Sequence, residues 1–226
     1  MEDRNARLGG WGGIVSVVLL LVGFGLIASN PPGFGDSAQA WANYFNDHAT
    51  RIQIGVTIVG VGTFFFLWFL GSLRSAIATA EGGTARLASI AFGGGLVSLA
   101  LVMVTLLGTA AAAYRPDAVD PNLTRALHDF GALAAAPAAA SLTALFGATA
   151  IAGYRHRFVP AWVAGFSALA AVCQPLAFGV IFCTTGAFAA DGALGLIVPV
   201  ATFGIAIVTM SWALGRKTAA SASPAD

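Results

Sequence analysis

Six long apolar runs, each closed by a short polar or turn-forming stretch, organise this chain. The clearest is Ile52 to Gly71, 20 residues without a charge, followed shortly by Arg74. At about 1.5 Å per helical residue, such a run matches a hydrocarbon core about 30 Å thick. The same pattern places membrane spans at about 11–28, 52–71, 87–113, 124–153, 159–184 and 193–214. The third run is longer than a minimal span, so it should tilt or protrude. The expected fold class is all-α, a polytopic transmembrane helix bundle with one domain over 1–214. The small, polar tail 215–226 is expected to be disordered.

Turn chemistry sets the boundaries. Ser29-Asn30-Pro31-Pro32-Gly33 ends the first span, because consecutive prolines cannot donate backbone hydrogen bonds. Asp36 is then placed to cap a helix, with Gln39 reaching back to it. Trp41, Tyr44, Phe45 and His48 share one helical face, and Gln39, Asn43, Asn46 and Thr50 lie on the other side. This predicts a short extracytoplasmic amphipathic helix at about 37–49, separated from the second span by a polar hinge. It lies either in the interface plane or as a lid over the ends of the bundle. Asp120-Pro121 is a helix start, an N-cap followed by proline at the first helical position.

Composition agrees with a membrane protein: 58% hydrophobic and 9% charged, with mean hydropathy +0.82. Soluble chains carry about 25% charged residues. The net charge of +1 gives no reason to expect a nucleic-acid partner. Its distribution is more informative. With six spans both ends share one side, where Arg4, Arg7, Arg74, Arg86, Arg155, Arg157, Arg216 and Lys217 fall; only Arg51, Arg115 and Arg125 fall opposite. That bias predicts both termini in the cytoplasm. Arg4 and Arg7 before an apolar run imitate a secretory signal, but Pro31-Pro32 and a helix start separate the run from the Ala38-Gln39-Ala40 site. The segment is therefore expected to stay as the first span. Cys173 and Cys183, ten residues apart in one expected helix, would lie roughly 15 Å apart, too far for a disulfide.

Candidate chemistry is sparse. The apolar cores of the spans lack Asp, Glu, Lys, Arg and His, which argues against a midplane ion-coupling carboxylate and against axial histidines for haem. No cofactor is expected, and no nucleophile–base pair at a recognisable spacing suggests an enzyme. The most polar feature lies at the outer mouths of two spans. Arg125, His128 and Asp129 open the fourth, and Asp47, His48 and Arg51 precede the second. If these mouths adjoin, Arg51 and Arg125 would serve an anion or lipid headgroup. A metal held by His48, His128 and an aspartate is the thinner reading, and internal pairing at the membrane boundary is the plain one. Pro137, Pro175 and Pro199 sit within spans and should kink them, and Gln174 beside Pro175 places an amide inside the membrane. These four residues would line a cavity, or Gln174 would bond a carbonyl freed by a kink. The fourth span, GALAAAPAAASLTALFGATA, is small-residue rich. It should pack closely at the centre of the bundle or at a contact between copies of the chain, with Gly55, Gly60, Gly62 and Gly93 to Gly95 serving the same purpose.

The segments YFNDHATRIQIG, FFFLWFLGSLR and AEGGTARLASIAFGGG resemble an actinobacterial family of six-helix integral membrane proteins, filed as a domain of unknown function. The likeness covers roughly Trp11 to Leu101; beyond that it is one of hydropathy. It implies six spans in a bacterial inner membrane and no chemistry. The resulting expectation is a non-enzymatic scaffold or lipid- and partner-binding membrane protein. Its partners would be membrane lipids and a second copy met through small-residue helix faces. The alternative is a passive channel or carrier for a small, largely apolar solute through the kinked fourth to sixth spans.

Overall fold

A computed structural model describes residues 2–220. It is all-α, with no strand among the described residues. Helices α1 (Glu2–Ile27), α2 (Ala38–Glu81) and α3 (Arg86–Tyr114) form three spans, and α4 (Pro121–Ala135) with α5 (Ala138–His156) forms the fourth. Helix α6 (Ala161–Cys173) continues as a 3-10 helix, Gln174–Ile181, and α7 (Val198–Ala220) is preceded by a π-turn, Ala193–Ile197. Six of these helical segments are long and apolar enough to cross a membrane. This is a multi-pass membrane protein.

Helices adjacent in sequence are adjacent in space, and the last returns to the first. Helix α1 packs on α2, α2 on α3, α3 on α4 and α5, α5 on α6, α6 on α7, and α7 on α1. Ser211 locks the closure, donating to the Gly10 carbonyl while accepting from the Ile14 amide at 3.2 Å. The interior is filled by Phe66, Phe69, Leu70, Leu145, Phe146, Ile207 and Met210, all buried.

Small residues set the close crossings. A Cβ on Gly55 would lie 2.7 Å from the Gly23 carbonyl, and one on Gly94 would lie 2.5 Å from the Ser141 carbonyl. At these points the backbones themselves touch, the packing that lipid rewards. Gly60 and Gly93, by contrast, face open space. The small-residue fourth span is a member of the ring and not its hub: α4 and α5 lie beside α3, with α5 against α6. Helix α2 packs against α1, α3, α4, α5 and α7 and is the more central element.

Three expected boundaries differ. The amphipathic helix and the second span form one continuous 44-residue helix, about 66 Å long, with no hinge between them. Residues 46–51 are polar except for Ala49 and contain neither proline nor glycine, so nothing interrupts the backbone hydrogen bonds. The α2 cap is Ser37, whose hydroxyl accepts from the Ala40 amide at 3.2 Å; Asp36 instead accepts from Gly33, and Gln39 donates to Asn43. The mid-span prolines act as expected: Pro137 breaks the fourth span into α4 and α5, and the fifth leaves α-geometry at Gln174-Pro175. Helix α7 continues through Ala220 into the expected tail, and 221–226 lie outside the described residues. The Asp120-Pro121 start is as expected, with the Asp120 carboxylate accepting from the Asn122 amide at 2.9 Å.

Candidate functional site

The first three turns of α2 carry the aromatic face seen in the sequence, and it points into the protein. Trp41, Tyr44 and Phe45 are buried together with Ile52, Ala112 and Ala113. The α1–α2 loop and the start of α4 close around this face. Phe34 meets Trp41 edge-on at 5.9 Å between ring centroids, and His128 stacks on Trp41 at 3.8 Å. Helix α4 turns its polar side inward: Thr124 is buried and Arg125, His128 and Asp129 are partly buried, while Leu123, Phe130 and Leu133 are exposed. An apolar exterior over a polar interior is what a lipid-facing helix requires.

Arg125 is bound by its own chain. Its Nε pairs with the Asp129 carboxylate at 3.1 Å, and its two terminal nitrogens donate to the carbonyls of Asp36 and Phe34. It pins the α1–α2 loop to α4, so the expected role as an open anion donor does not fit its geometry. His128 is held in the same wall by Trp41 and Phe34, with Nε2 buried and without a partner.

Arg51 and His48 occupy a different place. The Arg51 guanidinium donates through Nη2 to the Ser29 carbonyl at 2.9 Å and to the Tyr44 hydroxyl at 3.2 Å. Tyr44 in turn donates to the Ile27 carbonyl, and its ring lies 5.1 Å from His48. Arg51 Nε and His48 Nδ1 are buried without partners. Both residues line an open cleft of about 530 Å³ with Asn46, Asp47, Ala49, Thr50, Leu26 and Ile54. The two mouths therefore do adjoin through the aromatic cluster, but they do not merge into one polar site. His48 and His128 are not gathered with an acid: no group of three metal-ligating side chains occurs among the described residues.

The kinked spans are placed as follows. Gln174 is buried and donates to the Pro199 carbonyl at 3.0 Å, tying the two distorted spans to each other. The acceptor lies on the neighbouring span and not on its own. Pro199 is buried, whereas Pro137 and Pro175 are exposed, so these four do not share a lining. Cys173 and Cys183 are both free thiols.

Three contacts had no forecast in the sequence. Gln53 donates to the Ala113 carbonyl at 2.9 Å, joining α2 to the end of α3. Glu81 accepts from the Leu87 and Ala88 amides, and the third contact is the Arg51–Ser29 bond. The first two involve polar residues at or near span ends, which is a readable signal; their acceptors and donors are backbone groups, which carry no side-chain pattern. No family model, curated protein or solved structure matches the chain.

Proposed function

We propose that this protein is a non-enzymatic, lipid-binding component of a bacterial inner membrane, with both termini in the cytoplasm. One observation carries the reading: the cleft beside α2 is lined by Arg51 and His48 together with the apolar Leu26 and Ile54. A guanidinium with one nitrogen, Nε, left without a partner, in the same cleft as Leu26 and Ile54, suits a phospholipid, whose phosphate and chain divide in the same way. The basic side is assigned to the cytoplasm by the arginine distribution, and the actinobacterial affiliation rests on the segments quoted above. Contact with a second copy through small-residue positions with open space before them, such as Gly60 and Gly93, belongs to the same proposal.

The test is lipid retention. Native mass spectrometry of the detergent-purified protein should show a bound phospholipid that is lost from Arg51→Gln and kept by Arg125→Lys. Equal retention by wild type and Arg51→Gln would reject the cleft as the site.

A second reading, a passive carrier for a small apolar solute, draws on the non-α geometry of Gln174–Ile181 and Ala193–Ile197. The filled interior around Phe146 and Met210 gives it no path without rearrangement. Solute flux in liposomes would support it.

A further inference from the structure

We infer that the headgroup this cleft takes is zwitterionic, a phosphate joined to an ammonium group, as in an aminophospholipid. The inference rests on the lipid-binding reading above and adds the chemical class of the ligand.

Asp47 and Arg51 stand four residues apart on α2, with the acid nearer the N-terminus, the spacing and order that favour an ion pair along a helix. They do not pair. Among the described residues the ion pair is Arg125–Asp129, which has the same spacing. Arg51 is drawn away instead by the Ser29 carbonyl and the Tyr44 hydroxyl. The Asp47 carboxylate is exposed, and no hydrogen bond or ion pair among the described residues engages it. A separated acid and base therefore line one cleft.

A purely anionic headgroup placed against Arg51 and His48 would also meet the Asp47 charge. A simple cation would meet Arg51. A zwitterion satisfies both: its phosphate lies toward Arg51 and His48 and its ammonium toward Asp47 and Asn46. Side chains one helical turn apart are about 5–6 Å from each other at Cβ, a separation that a phosphate and an ammonium joined by a two-carbon bridge can span. The hydrocarbon has a continuation as well. Ile54 is 51% exposed, and Val22 and Val61 are each 49% exposed, giving the acyl chain an apolar surface on α1 and α2.

The experiment is a competition in detergent micelles, read by native mass spectrometry of the full chain with phosphatidylethanolamine, phosphatidylglycerol or inorganic phosphate. Wild type should prefer phosphatidylethanolamine. Asp47→Asn, at an exposed and unpartnered position, should fold normally and shift that preference roughly tenfold toward phosphatidylglycerol. Arg51→Gln should weaken both lipids, and inorganic phosphate should displace neither. A wild-type preference for phosphatidylglycerol, or a preference unchanged by Asp47→Asn, overturns the zwitterion assignment while leaving lipid binding intact. Displacement by inorganic phosphate would make this a free-anion site and also overturn the assignment. Lipid retention indifferent to Arg51→Gln would remove the lipid-binding reading itself.

Discussion

Glu81, the last residue of α2, serves the start of the next helix. Its two carboxylate oxygens accept from the Leu87 and Ala88 amides, each at 2.9 Å, where α3 has no side-chain cap of its own. Gly82, at φ +63°, turns the chain in the left-handed region that glycine tolerates, which frees Glu81 to reach forward. Desolvation pushes the Glu81 pKa up, but the Ala88 and Leu87 amides and the charge of His156 outweigh it and hold the pKa below its usual value. A carboxyl depressed in the folded state adds stability above its unfolded pKa, and that stability is lost as pH falls through the folded value. The melting temperature in detergent should therefore drop as the pH falls through and below the ordinary glutamate value of about 4.3. Glu81→Gln should lower it at neutral pH and flatten this part of the slope; an unchanged slope would remove Glu81 as its cause. Gln174 makes a second prediction. Gln174→Leu removes the bond to the Pro199 carbonyl and should cost about 0.5–1.5 kcal/mol in reversible detergent unfolding, since bonds between membrane helices are individually modest. Of these two residues, Gln174 was visible in the sequence as an amide inside a span. Glu81 was visible as a loop acid, but its cap was not, because it depends on how the Gly82-Gly83 turn folds.

At the scale of elements, crossings and breaks had different legibility. Proline marks a break directly, and Pro137 divides the fourth span where its missing N–H demands it. Polarity does not mark a break. Asn46 to Arg51 reads as a hinge only if solvent preference is taken for backbone weakness, and α2 runs straight through it. Glycine content was readable, but the helix face it occupies was not. Gly94 lies against the Ser141 carbonyl and the Leu145 amide on α5, whereas Gly60 meets nothing within 4 Å. Gly94→Val should accordingly cost about 1–3 kcal/mol through overpacking against backbone. Gly60→Val should stay within about 0.5 kcal/mol of wild type in the monomer. Comparable losses at both positions would mean that the α3–α5 crossing does not set the packing. The candidate site follows the same division. Arg51, His48 and Arg125 were legible as polar groups at span mouths, yet the two arginines donate to the carbonyls of Ser29, Phe34 and Asp36, fixed only when the α1–α2 loop folds back.

The whole molecule is a sequential ring of spans whose two ends differ in chemistry. Four of the five tryptophans, Trp11, Trp68, Trp162 and Trp212, are exposed, and they sit toward the end that carries the chain termini. Trp162 lies 5.5 Å from Trp212, which is covered by the Arg216 guanidinium at 4.7 Å. Exposed tryptophan beside arginine is the chemistry of a headgroup boundary. Trp41, at the other end, is buried in the aromatic cluster instead. Spans and their order were legible because about 20 apolar residues in a row have few other uses. The direction in which they thread rests on the arginines and is tested most directly by labelling. In a background with Cys173→Ala and Cys183→Ala, single substitutions Gly33→Cys, Asp191→Cys and Gly83→Cys would be treated on intact cells with a membrane-impermeant maleimide. Labelling of Gly33→Cys and Asp191→Cys but not Gly83→Cys is the expected result. Labelling of Gly83→Cys alone would reverse the orientation, and opposite behaviour of Gly33→Cys and Asp191→Cys would contradict the six-span arrangement itself.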